Sequence, residues 1–92
     1  PRIVEIRGIA MDTEFAPYMI YVRNADKPGF VGKFGTLLGE AGVNIGTFDM
    51  GRETPGGNAI SFVAVDAPVS KELLARIEAI EQVKRARFCQ FV

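Results

Sequence analysis

The chain has 92 residues with 11 Lys plus Arg against 11 Asp plus Glu. That is one domain's worth of sequence with no net charge, so no whole-molecule field recruits nucleic acid or an anionic membrane. Histidine is absent and cysteine occurs once, at Cys89, which removes the commonest metal ligand and general base and excludes an internal disulfide or a cysteine-built metal site. The apolar runs fall far short of the roughly 18 residues a spanning helix needs, so a cytoplasmic protein is expected.

The chain opens on Pro1 and goes straight into "RIVEI", Arg2 to Ile6, whose β-branched alternation predicts a short edge strand ended by Gly8 and the polar "MDTEF". This start reads as a piece of a longer polypeptide. "YMIYVRN", Tyr18 to Asn24, predicts a second strand with apolar residues on both faces. Asp26, Pro28 and Gly29 break it, and Asp26 is the expected N-cap of a helix with Pro28 at or near its first position. From Phe30 to Ala41 the spacing is helical, with Phe30, Val31, Phe34, Leu37, Leu38 and Ala41 on one face and Gly42 as the expected C-cap.

Val43 to Arg52 predicts a strand, "ETPGG" a turn, and Asn58 to Asp66 the hairpin partner. Ser70 caps a second helix on which Leu73, Leu74, Ile77 and Ile80 recur, with Lys71, Glu72, Arg76 and Glu78 left to solvent. A last strand runs from Val83 to Phe91. From Tyr18 onward the order is βαββαβ, which predicts an α+β ferredoxin-like sandwich: an antiparallel sheet with both helices on one face, plus an extra N-terminal strand. Apolar residues on both faces of the strands at 18–23 and 58–65 exceed what one helical layer covers. A symmetric dimer burying about 1,200 Å² or more is expected.

The first helix carries an unusual number of glycines. Gly29, Gly32, Gly35, Gly39, Gly42 and Gly46 fall in one stretch, although glycine inside a helix costs about 1 kcal/mol relative to alanine. They do not make a nucleotide loop, because "GFVGKFG" has neither the GxxxxGK[ST] nor the GxGxxG spacing. Gly32, Gly35 and Gly39 instead form a smooth stripe beside the apolar face, suited to close packing against the second helix or to a neighbouring subunit. Gly29 and its loop expose the free N–H groups and positive end of a helix, a place suited to a carboxylate. An Asp nearby suits an ammonium, and Asn amides can serve either group.

"YVRNADKPGFVGKFGTLLGEAGVNIGTFDMGRE" followed by "GGNAISFVAVDAPV" resembles the ACT domain, and within it the regulatory ACT domain at the C-terminus of D-3-phosphoglycerate dehydrogenases. The specific parts are "DKPG", "LLGEAGVNI" and "MGRE" in that order, within a match to residues 18–92, and "PRIVEIRGI" resembles the last strand of a preceding domain, so residues 1–17 are expected to be the tail of that domain or an appended strand. The resemblance implies a non-catalytic module of serine biosynthesis that binds an amino acid, L-serine or similar, between two side-by-side domains. It implies effector contacts from Asn24 and Asp26 of one copy and Asn44 of its partner, to which the helix start adds Pro28 and Gly29 as expected site residues; it implies no cofactor in this piece and NAD in the parent enzyme. The family's serine-binding form has His where Asn24 stands and Asn where Asp26 stands, so Asp26 is the expected partner of an ammonium. A purely structural dimerisation domain is the alternative. An acylphosphatase-like enzyme is disfavoured because Asp26 would repel phosphate beside Arg23, and an RNA-binding module lacks a stacking platform on the central strands.

Overall fold

The computed structural model of the protein describes residues 3–6, 9–12, 16–52 and 57–91. The N-terminal stretch forms two strands, β1 (Ile3–Ile6) and β2 (Ile9–Asp12), paired antiparallel from Ile3↔Asp12 to Ile6↔Ile9. The expectation of a single edge strand ended at Gly8 is therefore corrected. The "IAM" after Gly8 is too short to show a period of its own, and only pairing with β1 makes it a strand. These two strands are a sheet of their own and do not join the larger one.

The main sheet is four-stranded and antiparallel, in the order β4-β5-β3-β6: β3 (Tyr18–Ala25), β4 (Ile45–Arg52), β5 (Asn58–Val65) and β6 (Val83–Gln90). With α1 (Phe30–Glu40) and α2 (Lys71–Glu78) it completes the βαββαβ order. The expected ferredoxin-like sandwich is thus the observed fold. The turn expected at "ETPGG" falls largely outside the described residues.

One continuous core joins Ile20, Val22, Val63 and Val65 of the sheet to Phe30, Phe34 and Leu38 of α1 and to Leu73 and Ile77 of α2. Phe34 sits at its centre, with ring centroids 5.6 Å from Phe30 and 5.8 Å from Phe48. Burying one such side chain contributes roughly 1.5–3 kcal/mol, which fixes the side of the sheet on which both helices lie. On the opposite face Met19, Ile60 and Phe62 are also buried, with Ala16, Tyr21 and Cys89 packed against them. The apolar residues of that face are already covered within one chain, so they make no demand for a second copy.

The helix ends obey different rules. At α2 the Ser70 hydroxyl accepts from the Leu73 N–H at 3.1 Å, with Glu72 in the first turn and Arg76 in the last, as its sequence predicts. At α1 the N-cap is Gly29, at φ 95°, with no side-chain cap. Asp26 is not the cap and Pro28 lies two residues ahead of the first helical residue, which corrects both expectations. The left-handed turn at Gly29 aims the chain into the helix, and only glycine adopts it without strain. At the other end Gly42, at φ 75°, closes α1 as expected: Gly42 N–H donates to Gly39 O and Val43 N–H to Leu38 O, the paired bonds of a left-handed C-terminal stop.

Candidate functional site

Each candidate residue takes its place from the strand or turn that carries it. Asn24 is the last residue but one of β3 (Tyr18–Ala25), where the pairing with β6 slips register between Arg23 and Asn24. It is fully buried, its Oδ1 accepting from the Ser61 hydroxyl at 3.0 Å and its Nδ2 donating to Ala25 O at 3.1 Å. A buried amide must find partners, and here it joins two neighbouring strands. It is a wall of the loop from within.

Asp26 follows at the mouth of the loop. Its N–H donates to Gly57 O at 2.6 Å, and its carboxylate accepts from Arg52 Nε at 2.6 Å. The Asp26 side chain is 17% exposed and that of Arg52 57%, so the pair is open to water on the arginine side and worth at most about 1 kcal/mol. The loop is braced from behind by Gln82, whose carbonyl accepts from Ala25 N–H at 2.7 Å and whose Nε2 donates to Pro28 O at 3.1 Å. Pro28 and Gly29 are exposed at the surface.

Arg52 is the residue that sequence reasoning assigned no role. It stands in the "MGRE" string, 26 positions from Asp26, and only the β4–β5–β3 register sets the two side by side: Arg52 faces Ala59, and Asn24 faces Ala59 from the other side.

Asn44 lies elsewhere. Its N–H and Nδ2 donate to the two carboxylate oxygens of Asp66 at 3.0 and 2.9 Å, and its carbonyl accepts from Asp66 N–H at 3.2 Å. These bonds hold the Asp66 carboxyl below the usual carboxylate range. Asn44 precedes the first residue of β4 and Arg52 is its last, so eight steps at about 3.4 Å per residue set them up to roughly 27 Å apart. One chain brings Asn24, Asp26, Pro28 and Gly29 together and leaves Asn44 at the opposite end of the same strand.

The glycine stripe is corrected in part. A Cβ added at Gly32, Gly35 or Gly39 would meet nothing within 4 Å, so these glycines do not make a close packing against α2. On a wheel of 100° per residue Gly35 and Gly39 lie beside Val31, and Val31 is 55% exposed. Cys89 is a lone, half-buried thiol whose burial pushes its pKa up, the opposite of an activated nucleophile. Among the described residues there is no group of three or more His, Cys, Asp or Glu placed to hold a metal, and no helix is long and apolar enough to cross a membrane.

The family profile of the ACT domain matches residues 18–82, the span from β3 to the loop before β6. The chain belongs to the ACT domain family. Its relatives agree: this ACT domain is 29% identical over 82 residues to the D-3-phosphoglycerate dehydrogenase of Bacillus subtilis, covering 89% of the chain and 16% of that protein. It is 32% identical over 85 residues to the Synechocystis enzyme of the same name, with 92% and 15% covered. Against that of Mycobacterium leprae the figures are 35% over 78 residues, 85% and 15%. The chain thus spans about one-sixth of the length of the dehydrogenases it matches.

Proposed function

We propose that this ACT domain is a non-catalytic amino-acid-binding and oligomerising module of a D-3-phosphoglycerate dehydrogenase in L-serine biosynthesis, in the cytoplasm, with the NAD chemistry carried by other parts of the parent enzyme. The observation that carries the reading is the division of the candidate site between the two ends of β4. A twofold axis across β4 would set Asn44 of one copy beside Asp26 and Arg52 of the other, at both ends of the pair. Val31, Ile45 at 39% exposure and the open Gly35 and Gly39 suit such a neighbour, because a glycine face lets another backbone approach. The occupant would be a zwitterion, L-serine or similar, with its ammonium on Asp26 and its carboxylate on Arg52 and the uncapped start of α1.

A second reading, a structural dimerisation domain with no ligand, draws on a specific observation. Asn24, Asp26 and Asn44 each already hold a partner within the chain. Calorimetric titration with L-serine and a panel of amino acids separates the two. Binding should be seen at or below millimolar concentration, and Asp26→Ser should weaken it about tenfold or more, the worth of one charge-assisted contact. Asn44→Ala should weaken binding only while the domain is dimeric. Full affinity in Asp26→Ser, or no heat from any amino acid with the parent chain, would leave the structural reading.

A further inference from the structure

An open groove of about 660 Å³ runs between α1 and α2 on the side away from the sheet, within the size range of small-molecule sites. Leu37, Ala79 and Ile80 give it an apolar floor, and Gly32 gives it a wall without a side chain. Lys33 stands on the α1 side and Arg76 on the α2 side, and no acidic residue is among those that line it. In a chain with 11 cations and 11 anions, a lining with two cations and no acid is a local imbalance, not a reflection of overall charge. Arg76 meets Glu40 only at 3.6 Å, with both side chains more than half exposed, so that contact yields readily to a better anion. Lys33 has no acidic partner among the described residues. An aliphatic tail can displace water from an apolar cleft, and a flexible cation from each helix at its rim can reach for a carboxylate head.

We propose that the groove between α1 and α2 binds a small amphipathic carboxylate, its aliphatic tail along Leu37, Ala79 and Ile80 and its head between Lys33 and Arg76. The groove shares Gly29 with the candidate amino-acid site, but the head group would rest on Lys33 and Arg76, which the amino-acid reading does not use. A ligand there would tie the two helices together through their outer faces, on a surface the core does not use.

The probe is octanoate, followed by amide chemical shifts of the full 92-residue chain, with 1-octanol and acetate as tail-only and head-only controls. Octanoate should give saturable shifts at Gly32, Lys33, Ala79 and Ile80, with octanol and acetate each binding about tenfold more weakly or less. Gly32→Leu should abolish the shifts by filling the groove. That variant keeps the fold, because the position has open space for a side chain and leucine favours a helix over glycine. Lys33→Gln with Arg76→Gln should reduce octanoate to the affinity of octanol. Equal binding of octanoate and octanol, shifts that map elsewhere, no saturable shifts at millimolar octanoate, or undiminished binding in Gly32→Leu would each overturn the proposal.

Discussion

The two helices of this ACT domain lie on one sheet and bury comparable apolar faces, yet they are built on opposite plans. Helix α2 is self-sufficient, with a serine cap, an acid in its first turn and a base in its last, each of which stabilises a helix without help from a neighbour. Helix α1 has none of these. It begins on a left-handed glycine with no side-chain cap and carries no acid in its first turn and no base in its last. Its core residues hold it to the sheet, while Gly32, Gly35 and Gly39 on its outer side have open space around them. A helix whose start has neither a side-chain cap nor an acid leaves its N–H groups and end charge open. Open backbone and an uncapped helix end thus lie on α1, and α2 carries its own cap and end charges.

The largest test of this contrast lies in the glycines themselves. Gly29→Ala should cost about 1–2 kcal/mol in denaturant unfolding, the strain of a left-handed backbone on a residue with a Cβ. Gly39→Ala should do the opposite and stabilise the single chain by up to about 1 kcal/mol, since the site is open and alanine favours the helix. If Gly39→Ala destabilised the monomer, the stripe would have an intramolecular partner and the contrast between the helices would fail.

Next in size is the cap of α2. Ser70→Ala should lose about 1 kcal/mol with little change in denaturant sensitivity, because one hydrogen bond to the Leu73 N–H goes and no apolar surface moves. Asp26→Ser should leave the start of α1 unaffected in hydrogen exchange, since Asp26 is bound to Arg52 and does not cap the helix. Loss of protection at Phe30 to Gly32 in that variant would restore Asp26 as a cap.

The smallest effect concerns the far end of β4. The Asp66 carboxyl has its pKa lowered in the fold by the Asn44 backbone and side-chain N–H groups. A depressed folded value contributes stability that is complete above the unfolded value of about 3.9 and is lost as pH falls through the folded value. Parent and Asn44→Ala should therefore differ slightly at neutral pH, and the difference should shrink below about pH 4. A gap that persists at pH 2 would show that Asn44 acts through something other than its bonds to Asp66.

Much of the architecture was legible because it rests on local periodicity. The two helical faces, Ser70 as a cap, Gly42 as a stop and the βαββαβ order each follow from residues within one or two turns of one another. Asp26 misled for the same reason. An aspartate before a helix is a good local cap, but α1 begins only at Phe30 with Gly29 as its N-cap, three residues beyond Asp26, whose carboxylate pairs with an arginine from 26 positions away. The hairpin β1–β2 escaped notice because a four-residue strand has no period until its partner is beside it.

The sequence by itself determined the sandwich, the side of the sheet that both helices cover and the family to which the chain belongs, since apolar spacing and ordered motifs are properties of neighbours along the chain. Only the tertiary structure decided what the polar candidates do. It buried Asn24 against Ser61, joined Asp26 to Arg52, tied Asn44 to Asp66 at the other end of the strand and left the glycines of α1 open. Those outcomes depend on strand register, and a register is set by the pairing of whole strands through the core, which no single stretch of residues contains.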